Sequence, residues 1–207
     1  MKAHSAESQA TVTPEKALQF LKEGNNRFIN NLKINRNLLE QVNDTREGQW
    51  PFAIVLSCID SRTSAELIFD QGLGDIFSVR IAGNILNEDI LGSMEFATKV
   101  VGSRIIVVLG HSKCGAVKGA CDHVEMGNLT KLLNKIQPAV YEEKSTTENR
   151  TSKNAEFVEK VASLNVRLTI ERIRKESDII RDLELSGAIK IVGGMYDVDS
   201  GVVEFYE

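Results

Sequence analysis

Residues 52–62 read Phe52-Ala53-Ile54-Val55-Leu56-Ser57-Cys58-Ile59-Asp60-Ser61-Arg62. The first part is a short, unbroken apolar run introduced by Gln49-Trp50-Pro51, and proline can open a strand but not sit inside one. A run of this length without polar alternation reads as a strand covered on both faces, the habit of parallel sheets. A second run of the same kind, Ile105-Ile106-Val107-Val108-Leu109, leads into Gly110-His111-Ser112-Lys113-Cys114-Gly115-Ala116.

Working outward from these two runs, strands are expected over 53–57, 76–80, 105–109 and 188–192, with 201–206 as an edge strand returning through 197–200. Helical periodicity fills the intervals at 64–71, 89–101, 116–123, 129–140, 155–175 and 177–185, while 141–153 is a polar, solvated excursion. Strand–helix alternation of this sort predicts an α/β fold: a central, mostly parallel sheet of about four strands plus an antiparallel edge strand, flanked by helices. Ahead of the first strand, Thr13-Pro14 supplies a capping hydroxyl and a proline for the first helical turn. Leu18, Leu21 and Phe28 then recur near the helical period, interrupted by Gly24-Asn25-Asn26. Residues 13–48 are therefore expected as an N-terminal helical arm packing outside its own core, and 1–12 as a mobile tail. There is no repeat or linker, so 1–207 reads as a single domain.

Composition narrows the function classes. A net charge of −4 over 207 residues lacks the basic face that nucleic acid requires. No apolar stretch approaches the ~20 residues that cross a bilayer, and 1–12 has no apolar core of the signal-peptide kind. Three cysteines are no disulfide framework. A cytoplasmic location follows as the default, with neither nucleic acid nor membrane as partner.

Cys58 and the His111/Cys114 pair each follow directly on a strand. Ligands of open α/β sheets bind beyond the carboxyl ends of strands, so two thiols and an imidazole on neighbouring strand ends can converge on one point. Zn²⁺ takes that donor set tetrahedrally, and three protein ligands leave a fourth position, as in catalytic sites. Water or the Asp60 carboxylate are the nearest candidates to fill it. A structural zinc would show four ligands in paired short spacings, and a Cys–His nucleophile pair would leave the second thiol unexplained. Cys121 reads as a small buried hydrophobe in a helix.

The segments Cys58-Ile59-Asp60-Ser61-Arg62, Val79-Arg80-Ile81-Ala82-Gly83-Asn84 and 110–116 together resemble the signature segments of the β-class carbonic anhydrases, and the resemblance runs from about Pro14 to Glu207. It implies one Zn²⁺ per chain held by Cys58, His111 and Cys114, with Asp60 as an alternative fourth ligand in a closed state. It also implies a catalytic dyad of Asp60 and Arg62, and a homodimer or dimer of dimers in which N-terminal helices embrace the neighbour. The implied activity is reversible hydration of CO₂ to bicarbonate and a proton, by attack of zinc-bound hydroxide.

Single positions carry over as well. Gln49 matches a family glutamine that hydrogen-bonds substrate or product oxygen, and Phe77 and Ala82 match residues lining the small apolar pocket. Phe96 falls where many members carry tyrosine. Independently of the resemblance, Gly115, where the chain turns into a helix, would let a backbone N–H approach a ligand. Val55 stands where one subgroup has the tryptophan of a non-catalytic bicarbonate site, which argues against such a site here. Two other readings stay open at this point: hydrolysis of carbonyl sulfide or carbon disulfide on the same metal site, and a non-catalytic zinc-binding module. Neither His4 nor His123 stands out as a proton shuttle.

Overall fold

The computed structural model describes residues 3–206. Strands β1 (Ala53–Ser57), β2 (Ile76–Arg80), β3 (Ile105–His111), β4 (Lys190–Tyr196) and β5 (Val203–Tyr206) form one sheet in the order β2-β1-β3-β4-β5. The first four are parallel, and β5 pairs antiparallel with β4. This is the sheet expected from the sequence. β1 ends where expected, while β3 and β4 overrun their predicted ends: β3 reaches His111, which pairs with Tyr196 at the end of β4.

The chain runs from β1 to β2 on one side and from β2 to β3 on the other. Crossovers therefore diverge between β1 and β3, opening a crevice at their carboxyl ends. β1 is buried along its whole length, as a central strand covered on both faces must be. One face of the sheet packs Ala53, Val55, Val107 and Val192 against α2 (Pro14–Ile29) and α4 (Ala65–Ile68). The other packs Ile54, Leu56, Ile106 and Val108 against α5 (Glu88–Glu95), α9 (Ala155–Glu176) and α10 (Asp178–Leu185). Each large aliphatic residue buried this way contributes about 1.5–3 kcal/mol. A third apolar cluster lies beyond the strand ends, where Val117 and Ala120 of α6 (Gly115–Cys121), Ile136, and Phe157 and Val161 of α9 surround Cys58 and Cys114.

Several expectations are corrected. Residues 3–12 do not form a free tail: a short helix, α1 (Ala6–Ala10), docks there, with Gln9 donating to Pro51 O at 2.8 Å and the His4 ring 5.5 Å from that of Phe52. Met1 and Lys2 of that tail lie outside the described residues. Gly24-Asn25-Asn26 does not interrupt α2. A Cβ at Gly24 would stand 1.7 Å from Phe69 O, and Asn25 bonds Ile68 O, Gly201 O and Val203 N. These residues serve close tertiary packing, and Ala17, Leu18 and Leu21 place the helix in this chain's own core. By contrast α3 (Leu38–Thr45) leaves Leu38, Leu39 and Val42 exposed. The 89–101 helix widens into a π-type turn over Phe96–Val101, and 129–140 splits into α7 (Gly127–Leu133) and α8 (Gln137–Glu142).

Candidate metal centre

Cys58 is the first residue past β1, and its backbone is clamped from two sides. Thr63 Oγ1 and Arg80 Nε each donate to Cys58 O at 3.0 Å, and Arg80 Nη2 donates to Asp60 O at 2.6 Å. Its sulfur accepts the Gly83 N–H at 3.3 Å. His111 closes β3 and is 1% exposed. Its Nδ1 lies 2.9 Å from Ser112 O; a carbonyl only accepts, so Nδ1 carries the proton and Nε2 keeps its lone pair. Nε2 is buried and has no hydrogen-bond partner. Cys114, also 1% exposed, sits immediately before α6.

The three donor atoms lie within 4.8 Å of one another, and the two sulfurs are 4.0 Å apart. Hydrogen bonding from Cys114 draws the Cys58 thiol down to about 4, and the resulting thiolate, together with burial, pushes Cys114 far above the ordinary thiol range. Ionising both of these buried sulfurs would set two like charges 4.0 Å apart, and a cation between them relieves that. Two buried sulfurs, an imidazole lone pair with no other partner and tetrahedral-scale spacing fit Zn²⁺. Among the described residues no carboxylate joins the trio.

Asp60 is turned to Arg62 instead. Arg62 Nε and Nη2 donate to Oδ1 and Oδ2 at 2.9 and 2.8 Å, and the Arg62 N–H adds a third bond at 3.0 Å. Such a bidentate fork fixes a carboxylate in its plane. It holds Asp60 well below the usual carboxylate range against the opposing effect of burial, so the group is ionised.

The remaining sequence-predicted residues divide. Ala82 lies on the turn Ala82–Asn84 beside the Gly83 N–H, and Gly115 opens α6 beside Cys114. Gln49, Phe77 and Phe96 are not brought to the trio within one chain. Gln49 is exposed, ahead of the amino end of β1, with the whole of that strand (roughly 17 Å at ~3.3 Å per residue) between it and Cys58. Phe77 pairs with Ile54, and its ring meets the exposed Phe96 ring at 6.5 Å in a cleft of about 620 Å³ also lined by Val79 and Gly92.

Residue-pattern reasoning missed the outer supports. Arg80 lay in a quoted motif without a role. Ser112 Oγ donates to Asp197 Oδ1 at 3.1 Å, and Lys113, in the left-handed region at φ 59°, donates its N–H to Glu159 Oε1 at 2.8 Å. Asn165, 4% exposed, donates to Gly83 O at 2.8 Å. The one available signal was a carboxamide on the apolar face of a long helix.

Comparison with known proteins agrees with this geometry. Residues 53–203 match the model of the family described as carbonic anhydrase. Carbonic anhydrase 2 of Mycobacterium tuberculosis is 34% identical over 194 residues, covering 91% of this chain and 90% of its own. The carbonic anhydrase of Mycolicibacterium smegmatis is 32% identical over 197 residues, covering 92% of each. Among solved structures, the β-carbonic anhydrase CcaA superposes with a TM-score of 0.71 at 25% identity, covering 93% of this chain and 86% of its own. A Sordaria macrospora protein, one of two β-carbonic anhydrases described as tetrameric, gives 0.70 at 25% identity over 77% of this chain and 82% of its own. With the sheet, the trio and the family match in agreement, the chain belongs to the β-class carbonic anhydrases.

Proposed function

We propose that this enzyme holds one Zn²⁺ per chain on Cys58 Sγ, His111 Nε2 and Cys114 Sγ and catalyses the reversible hydration of CO₂ to bicarbonate and a proton. The observation that carries the reading is the buried trio itself: two sulfurs 4.0 Å apart and a partnerless imidazole nitrogen. Zn²⁺ held there would supply Lewis acidity, making water a competent nucleophile near neutral pH. The chain's own residues do the rest. Asp60, ionised and locked by Arg62, accepts a hydrogen bond from the nucleophile and orients its lone pair toward the carbon of CO₂. Because Arg62 occupies both carboxylate oxygens, Asp60 is held back from the fourth ligand position. Ala82 supplies apolar surface for a neutral, apolar substrate, and Gly115 leaves room for it beside Cys114.

Gln49, Phe77 and Phe96 complete the pocket only from a second subunit, since one chain keeps them apart from its own trio. A homodimer or dimer of dimers supplies that arrangement, with the exposed apolar face of α3 and the Phe77–Phe96 cleft as contact surfaces. Phe96 contributes packing alone, having no hydroxyl. Among the described residues no helix is long and apolar enough to cross a membrane, and two thiolate ligands suit a reducing compartment such as the cytoplasm. The whole chain acts as a single domain around one sheet. Stopped-flow CO₂ hydration with metal analysis tests the reading: zinc-dependent turnover supports it, and zinc-replete protein without CO₂ hydration overturns it.

A further inference from the structure

The long helix α9 turns an almost wholly apolar face to the sheet and the third cluster: Phe157, Val158, Val161, Ala162, Val166, Ile170 and Ile173 are buried there. Asn165 interrupts this face while 4% exposed. A buried carboxamide is costly unless its hydrogen bonds are made. Its Nδ2 donates to Gly83 O at 2.8 Å.

Gly83 is the residue whose N–H points at Cys58 Sγ, 3.3 Å away. It adopts φ 69°, a conformation that L side chains rarely take, and a Cβ there would stand 2.5 Å from Ile136 Cδ1. Glycine is thus required, yet glycine is also the residue freest to rotate away. Its carbonyl end is tied by Asn165, and the Asn84 N–H bonded to Ile81 O at 2.9 Å closes the turn. An N–H donated to a thiolate withdraws charge from sulfur, so the same bond governs how much charge that sulfur gives to a metal.

We propose that Asn165 is a positioning residue of the metal centre: through Gly83 it holds a backbone N–H on the Cys58 sulfur and so sets the donor strength of that ligand. The inference rests on the metal-centre reading above and names a control on it. Outer partners of metal ligands commonly alter affinity 10–100-fold; acting through one intervening residue, Asn165 should fall at the lower end.

The test uses the full chain with its metal exchanged for Co²⁺, in the native protein and in Asn165→Leu. Two quantities are read: the position of the thiolate-to-cobalt charge-transfer band and the half-time of metal loss to a chelator. Loss of the N–H···S bond raises the sulfur lone pair in energy, so the band should move to longer wavelength, and the half-time of metal loss should change roughly ten-fold. Asn165→Ala deletes the donor without adding bulk; it should show the same shift and keeps the test decisive if the leucine variant does not fold. Ile173→Ala, two turns along the same helix, loses packing without touching Gly83 and should leave the band in place. An unmoved band with native metal retention in a folded Asn165 variant would overturn the proposal, as would an equal shift in Ile173→Ala. Failure of the native chain to bind cobalt through sulfur would overturn the metal-centre reading, and the inference with it.

Discussion

Asp70→Asn isolates the anchor that ties the N-terminal arm to the turn after α4. Arg27 Nε donates to Oδ2 at 2.5 Å, Arg36 Nη1 to Oδ1 at 2.6 Å and Arg36 Nη2 to Asp70 O at 2.5 Å, while the Ile34 N–H reaches Oδ2 at 3.2 Å. Asp70 and Arg36 are nearly buried at 4% and 7% exposure, whereas Arg27 is 26% exposed. Asparagine preserves the volume and tolerates the backbone, which sits at φ 45°. It removes the charge and leaves Arg36 buried without its counter-ion. Breaking one side of a buried pair costs about 3–5 kcal/mol, and the screened Arg27 contact adds little, so about 3 kcal/mol is expected. For a chain of this size that is a drop of about 6–12 °C in Tm by calorimetry. The loss should also depend on pH. Burial works to raise the Asp70 pKa, but the hydrogen bonds from Arg27, Arg36 and Ile34 outweigh it and lower the group overall. A depressed carboxylate contributes stability fully above its unfolded pKa of about 3.9 and loses it as pH falls through the folded value. The Tm gap between native and variant protein should therefore be constant near neutrality and shrink below about pH 4. A gap under 2 °C at neutral pH, or one that widens in acid, would refute the reasoning.

Arg62→Ala should keep zinc and lose most CO₂ hydration, because Asp60 is freed to occupy the fourth ligand position; X-ray absorption should show a carboxylate oxygen on the metal, and near-normal turnover would count against the dyad. Cys121→Ser should leave zinc content and turnover within about two-fold, at a packing cost of ~1–2 kcal/mol. Cys121 is 1% exposed, and burial pushes its thiol up to about 11, so it should also resist alkylation in the folded protein; loss of stoichiometric zinc in the serine variant would make it a ligand.

The sheet and the trio were legible for one physical reason: central parallel strands must be apolar throughout, so their ends, where the chemistry sits, are marked by the first polar or sulfur-bearing residues. Cys58 and His111 stand at such ends. Gly24-Asn25-Asn26 misled because the same residues that break an isolated helix also allow the backbone of Phe69 to approach one. Glu159 left no local signal and Asn165 only that of a carboxamide on an apolar helix face, because which loop such a face meets is set by packing, not by local pattern. Gln49, Phe77 and Phe96 entered through the family resemblance alone, and a single chain does not bring them to the sulfurs.

The central claim is best tested by measuring zinc content and stopped-flow CO₂ hydration together, in the native chain and in Cys58→Ser. The account predicts about one zinc per native chain with zinc-dependent hydration, and a serine variant that is inactive and loses metal readily, as should His111→Ala and Cys114→Ser. A folded Cys58→Ser protein with full zinc and full turnover would contradict it.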